Sequence, residues 1–229
     1  MHSPTRHPDC AAIIVAAGSS RRMGMDKLAW PLAGVSVLRR TLEAFLAAES
    51  IHSVVVVCPE ERWELLDGLD FSKPVLRAEG GAERQKSVMN GLAALGPDVR
   101  FVAVHDGARP LVSPADIDAC VAAAFSHRAA SLARRAAETM KRSDTEGFCV
   151  ESVSRDNLWC METPQVFETA LLREAYQNVA ARGLAVTDEV SAVQQTGVKV
   201  KFVESLHPNL KITTPADLAL AEALIAQTS

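Results

Sequence analysis

The chain has 229 residues, 48% apolar and 23% charged, with 24 Lys+Arg against 28 Asp+Glu and a formal charge of −4. This describes a globular chain long enough to build a sizeable core, and the acidic balance speaks against nucleic acid as a partner, because such domains usually carry a basic excess. The longest apolar run, residues 10–17, is far too short to cross a membrane, and the five cysteines, odd in number and without a C-x-x-C pair, read as reduced thiols of a cytoplasmic protein.

Residues 1–9 are polar, contain proline and lack a signal-peptide core; they read as a disordered tail ahead of a single domain over 10–229. Residues 11–16 are a short unbroken apolar run, the pattern of a strand covered on both faces. Residues 37–48 have helical periodicity. Residues 53–58 read as a second buried strand ended by Pro59, 60–69 as a short helix and 74–77 as a short strand. A helix over 85–95 and a strand over 101–105 follow. This β-α-β-α order predicts an α/β fold, a mainly parallel Rossmann-like sheet flanked by helices. Ser113-Pro114-Ala115-Asp116 offers an N-cap, a proline at the first helical position and a first-turn acid, so a helix starts there. Thr214-Pro215-Ala216-Asp217 repeats the arrangement for a last helix reaching about residue 226.

Residues 138–159 differ. Residues 139–143 and 148–154 read as two strands joined by the polar turn Asp144-Thr145-Glu146-Gly147. A lone hairpin is marginal in water, so this projecting β-hairpin arm needs something to pack on. Its own domain would serve, and so would a second copy of the chain in a homodimer.

Directly after the first strand comes Ala16-Ala17-Gly18-Ser19-Ser20-Arg21-Arg22-Met23-Gly24-Met25-Asp26-Lys27. Ligands of open α/β sheets bind beyond the carboxyl ends of strands, which suits a binding loop here. Gly18 and Gly24 allow close backbone approach, successive N–H groups can cradle an anion, and Arg22 and Lys27 bring charge that a triphosphate requires. The loop is neither a Walker A segment nor a G-x-G-x-x-G fingerprint, and taken alone it fits a plain surface loop equally well.

The pattern A-A-G-x-x-x-R-M-x-x-x-K, followed by Pro31, resembles the signature loop of sugar-phosphate nucleotidyltransferases. Five further segments extend the likeness: Gly80-Gly81-Ala82-Glu83-Arg84-Gln85-Lys86-Ser87-Val88, Val104-His105-Asp106-Gly107-Ala108-Arg109-Pro110, Thr163-Pro164-Gln165, Thr187-Asp188-Glu189 and Asn209-Leu210-Lys211-Ile212-Thr213. Together they resemble the 2-C-methyl-D-erythritol 4-phosphate cytidylyltransferase family of non-mevalonate isoprenoid biosynthesis, over residues 10 to 226. The resemblance implies transfer of CMP from CTP to a small polyol phosphate with release of pyrophosphate, a Mg²⁺ requirement, and a homodimer built through the arm.

It also implies roles. Arg22, Lys27 and Lys211 are expected to stabilise charge at the α-phosphate. Ala16, Ala17, Gly18, Gly80, Gly81 and Ser87 are expected around the nucleotide. Arg109, Thr139, Arg155 and Asp188 are expected on the acceptor side, Arg155 from the partner's arm. Asp106 follows a buried strand and precedes Gly107, where a carboxylate can hold Mg²⁺ against phosphate oxygens. Several have a plainer reading beside them, Arg155 as an exposed hairpin arginine among them. Arg and Lys are mostly solvated loop charges, Gly80-Gly81 suits a simple turn, and Asp106 suits a turn cap. The acids at 188 and 189 suit a helix start. His105 reads as a packed structural residue, and Arg84 as support for its loop.

Some positions depart from the family pattern. Met25-Asp26-Lys27 replaces a longer stretch with Pro before the Lys, Gly107 stands where Ala or Ser is common, and Glu138 where Asp often precedes the arm's Thr. Other readings share parts of the pattern. Ribitol-5-phosphate cytidylyltransferases have most of the motifs. Molybdenum-cofactor nucleotidyltransferases have a similar first loop but lack the H-D-x-A-R-P and T-P-Q segments. A non-catalytic nucleotide-binding protein on the same scaffold is disfavoured by the joint presence of Arg22, Lys27, Asp106 and Lys211.

Overall fold

In the computed structural model, which describes residues 10–18 and 24–228, the chain starts in β1 (Cys10–Val15) and turns through a two-strand ladder, β2 (Pro31–Leu32) and β3 (Val35–Ser36), into α1 (Val37–Ala47). It continues through β4 (Ile51–Val57), α2 (Glu60–Trp63) with a 3₁₀ turn over Glu64–Leu66, β5 (Val75–Ala78), α3 (Arg84–Ala94), β6 (Phe101–Asp106) and α4 (Pro114–His127). Then come β7 (Ala129–Arg135), the hairpin β8 (Met140–Ser143) and β9 (Cys149–Val153), β10 (Trp159–Glu168), α5 (Thr169–Ala181), α6 (Glu189–Gln194), β11 (Lys201–Glu204) and α7 (Pro215–Thr228). The reading of residues 1–9 as a disordered tail falls outside the described residues.

Seven strands form one sheet in the order β11-β7-β10-β6-β1-β4-β5. The pairs β1–β4, β1–β6, β4–β5 and β7–β11 are parallel, while β10 runs antiparallel to both β6 and β7. The α/β architecture expected from the sequence is present, with one strand reversed. Successive side chains of a strand point to opposite faces. Accordingly Ile14 joins Leu42, Phe45 and Ile117 on one face, and Ile13 joins Phe167, Leu172 and Tyr176 on the other. Both isoleucines are fully buried, worth about 1.5–3 kcal/mol each.

Helix starts follow the local chemistry. Ser113 Oγ accepts from Asp116 N at 3.0 Å and opens α4 as expected. At α7 the Asp217 carboxylate turns back instead, accepting from the N–H groups of Thr213 and Thr214, both at 2.8 Å. That bond also ties down the residues just before the helix.

The sequence reading leaves β7, β10, α5 and β11 unassigned. β10 contains Pro164, which weakens any strand pattern, and its ladder to β7 is interrupted between Met161 and Gln165, where the proline falls. α5 follows Glu168 with no side-chain cap, so no start signal marks it. The helix expected over 60–69 holds only from Glu60 to Trp63 before tightening into the 3₁₀ turn.

β8 and β9 pair only with each other, and residues 137–152 are all exposed. Asp144 Oδ1 closes their turn by accepting from Glu146 N at 3.0 Å and Phe148 N at 2.9 Å. Because β10 is antiparallel to β6 and β7, the arm leaves the sheet on the edge where β1 and β6 end.

Candidate active site

At that edge the ends of adjacent strands are tied together. Ala16 N–H donates to the Val57 carbonyl at 2.8 Å, and Gly107 N–H to the Val15 carbonyl at 2.9 Å. A Cβ on Gly107 would stand 3.1 Å from Val15 O and 3.3 Å from Ala16 Cβ, so glycine suits this close crossing.

Asp106, the last residue of β6, is 9% exposed and surrounded by cations. Its Oδ1 accepts from Arg84 Nε and Nη2, both at 3.2 Å, and its Oδ2 accepts from Lys211 Nζ at 2.7 Å. Arg109 Nε lies 3.8 Å from the same Oδ2. Burial alone would raise the Asp106 pKa; Arg84, Lys211 and Arg109 outweigh it and hold the carboxyl well below its usual range. The neighbouring His105 is fully buried. Its Nδ1 lies 3.0 Å from Thr163 Oγ1 and its Nε2 3.3 Å from the Arg109 carbonyl. Burial pushes this imidazole down to about 3, so it is a neutral packed residue, in line with the structural reading.

Arg84 is itself braced. Its Nη1 pairs with Glu189, which is fully buried at the start of α6 and also accepts from Tyr176 OH at 2.7 Å. Glu189 therefore does more than complement a helix dipole: it orients the arginine that holds Asp106. Asp188 opens α6 by accepting from Ser191 N at 2.9 Å, and its other oxygen accepts from Gln165 Nε2 at 2.9 Å.

Lys27 reaches the same neighbourhood from the first loop. Its Nζ donates to the Ile212 carbonyl at 2.6 Å, and Ile212 N–H donates to the Ala108 carbonyl at 2.8 Å. The segments around residues 27, 106–109 and 209–213 thus converge. Arg22 lies outside the described residues. Arg62, which the sequence does not single out, is buried and donates to Asp26 and to the Ala16 carbonyl.

The 80s loop closes against Ala17. Gly81 N–H donates to Ser87 Oγ at 3.0 Å, and Ser87 Oγ to the Glu83 carbonyl at 3.2 Å. A Cβ on Gly80 would fall 2.3 Å from Ala17 Cβ. A side chain there would force the two loops apart, which is more than a simple turn demands. A Cβ on Gly18, by contrast, meets nothing within 4 Å.

The four acceptor-side residues are dispersed. Arg109 is buried, with Nη1 donating to the Asn209 carbonyl at 2.6 Å and Nη2 reaching the Met161 carbonyl at 3.5 Å. It therefore braces the segment that carries Lys211. Asp188 lies beside Gln165 and Ser191, as above. Thr139 and Arg155 belong to the exposed arm, where Arg155 donates to the Ala137 carbonyl. Among the described residues, no hydrogen bond or ion pair joins either of them to the Asp106 cluster within the chain.

The donor set suits a single magnesium ion better than a transition metal. Among the described residues no group of three His, Cys, Asp or Glu side chains could hold a metal. Mg²⁺ typically takes only one or two carboxylates and fills its other positions with phosphate oxygens and water. Asp106 offers one such carboxylate: its Oδ1 is taken up by the two Arg84 donors, while Oδ2 accepts from Lys211 and keeps a second lone pair.

Comparison with known proteins shows the family of the chain. The profile of the 2-C-methyl-D-erythritol 4-phosphate cytidylyltransferase family matches residues 10–227. A 2-C-methyl-D-erythritol 4-phosphate cytidylyltransferase of Pelotomaculum thermopropionicum is 42% identical over 222 residues, covering 94% of this chain and 93% of that protein. One from Parasynechococcus marenigrum is 43% identical over 218 residues, covering 93% and 96%. Among solved structures, the cytidylyltransferase from Thermus thermophilus superposes with a TM-score of 0.78 at 33% identity, covering 94% of this chain and 98% of that one. The 4-diphosphocytidyl-2C-methyl-D-erythritol synthase from Anaerococcus prevotii does so at 0.84 and 27%, covering 96% and 99%.

Proposed function

Because this chain belongs to the 2-C-methyl-D-erythritol 4-phosphate cytidylyltransferase family, we propose that the edge formed by the ends of β1 and β6 is the site where CTP and the acceptor phosphate meet. The enzyme is a nucleotidyltransferase of isoprenoid biosynthesis: it forms 4-CDP-2-C-methyl-D-erythritol and pyrophosphate from CTP and 2-C-methyl-D-erythritol 4-phosphate. An acceptor phosphate oxygen attacks the α-phosphorus of CTP, the bond from that phosphorus to the β-phosphate oxygen breaks, and pyrophosphate leaves. The nucleophile is already ionised at neutral pH, so no general base is needed, and positioning and charge stabilisation carry the catalysis.

The observation that carries this assignment is the meeting of Lys211 with Asp106 at 2.7 Å, with Lys27 on the adjoining Ile212 carbonyl at 2.6 Å. Lys27 and Lys211, with Arg22, neutralise charge that builds on the α-phosphate oxygens. Arg84 and Arg109 hold Asp106 and the 209–213 segment in register. Ala16, Ala17, Gly18, Gly80, Gly81 and Ser87 offer backbone and small side chains to the nucleotide at close range. Asp106 would hold Mg²⁺, which when bound draws phosphate oxygens together and offsets their charge.

The arm completes the picture. Met140, Phe148 and Val150 are apolar and exposed on it, and a second copy of the chain covers them. In that homodimer Thr139 and Arg155 reach the neighbour's acceptor site, with Arg109 and Asp188 on the near side. Residues 10–229 act as one catalytic domain with the arm over about 138–159. The cytoplasm is the compartment expected for this enzyme, and among the described residues the cysteines form no disulfide. No helix among the described residues is long and apolar enough to cross a membrane. Pyrophosphate release by the Lys27→Ala and Lys211→Ala variants tests the assignment: both should lose turnover while still folding, and full activity in either would remove that lysine from the site.

A further inference from the structure

We propose that Arg62 is a positioning residue for Lys27, clasping the two ends of the first loop so that the Lys27 ammonium is held at the nucleotide site. The inference rests on the reading of Lys27 as a group that meets the triphosphate. Arg62 sits in α2, just beyond β4, and is only 9% exposed. Arginine is almost never buried this far without partners. Its Nη1 donates to the carbonyl of Ala16, where the chain leaves β1. Its Nε donates to Asp26 Oδ2 at 2.7 Å, where the chain returns.

Asp26 passes the constraint on. Its Oδ1 accepts from Leu28 N–H at 3.0 Å, so the backbone on both sides of Lys27 hangs on the carboxylate that Arg62 holds. From there Lys27 reaches the Ile212 carbonyl beside Lys211. A guanidinium presents donors at fixed angles in one plane and spans two acceptors at once; a lysine ammonium is a point charge that serves one of them poorly. Arg62 touches no reacting atom in this scheme: it acts through Asp26 and Lys27, with its bond to the Ala16 carbonyl as the anchor.

Steady-state kinetics on Arg62→Lys, Asp26→Asn, the double variant and Lys27→Ala, corrected for folded protein by thermal unfolding, test the clasp. Arg62→Lys and Asp26→Asn should each lower kcat/KM for CTP by about ten- to a hundredfold, the scale of small misplacements at a reacting centre. KM for the acceptor phosphate should stay unchanged. The double variant should be no worse than the single ones, because one break already opens the clasp. Asp26→Asn keeps an oxygen for Leu28 N–H and alters a half-exposed group, so it carries the test should Arg62→Lys fold poorly. Wild-type kcat/KM in Asp26→Asn, with Lys27→Ala inactive, overturns the clasp and leaves the role of Lys27 standing. Wild-type turnover in Lys27→Ala overturns both.

Discussion

Lys211 Nζ lies 2.7 Å from Asp106 Oδ2, across 105 residues of sequence, so the acid that ends β6 also fixes a cation of the last loop. Asp106→Asn removes the charge that holds Lys211 and Arg84 together. It should lower turnover by about a hundred- to a thousandfold, comparable to losing one charge-stabilising group. Initial rates of pyrophosphate release check this. A rate within threefold of wild type would show that the carboxylate is dispensable.

Glu189 is fully buried between Arg84 and Tyr176. Breaking a buried ion pair by deleting one partner costs about 3–5 kcal/mol. Glu189→Ala should therefore lose about that much in urea unfolding and weaken turnover through misplacement of Arg84. Tyr176→Phe removes one hydrogen bond and should cost about 1 kcal/mol. Equal effects of the two would contradict the central place given to the Arg84–Glu189 pair.

His105, down at about 3 in the folded chain, lies below the ordinary histidine value of about 6.5. Between those values the unfolded chain binds a proton that the folded chain does not. Stability is therefore unaffected above about pH 6.5 and is lost as pH falls from there toward 3. By NMR the His105 imidazole should remain neutral at pH 5, and it contributes nothing to any change in activity between pH 6 and 8. A His105 titration midpoint near 6.5 would contradict its buried, neutral role.

If Arg155 of one copy serves the other copy's site, inactive variants should rescue one another. Lys27→Ala spoils the body of a subunit and Arg155→Ala its arm. Mixed dimers contain one site built from an intact body and an intact arm, so an equal mixture should regain roughly a quarter of wild-type activity. No recovery after subunit exchange would place Arg155 outside the neighbour's site.

The first half of the chain was legible because its strands are unbroken apolar runs and its helices have periodic faces; β1, β4 and β6 lie where residues 11–16, 53–58 and 101–105 point to them. The second half hides its elements. Pro164 disguises β10, and α5 starts at an uncapped Glu168. At the site, Asp106 and Lys27 could be named because each lies in a patterned segment just beyond a strand, whereas Lys211 is named only on the family resemblance, since its local pattern does not single it out. Arg62 could not: it sits in a short acidic stretch, and its importance comes from where β4 ends relative to β1, a tertiary fact with no local signature. Glu189 was legible as a helix-start acid, but its contact with Arg84 spans 105 residues and is set by the packing of α6. Arg109 was expected toward the acceptor; what spacing does not convey is that its guanidinium is occupied by the Asn209 and Met161 carbonyls.

The most direct test of the account is pyrophosphate release with CTP and Mg²⁺, comparing 2-C-methyl-D-erythritol 4-phosphate with ribitol 5-phosphate as acceptor. Release that depends on methylerythritol phosphate, with little or none from ribitol phosphate, is the predicted result. Release only with ribitol phosphate, or none with either while CTP still binds, would contradict it.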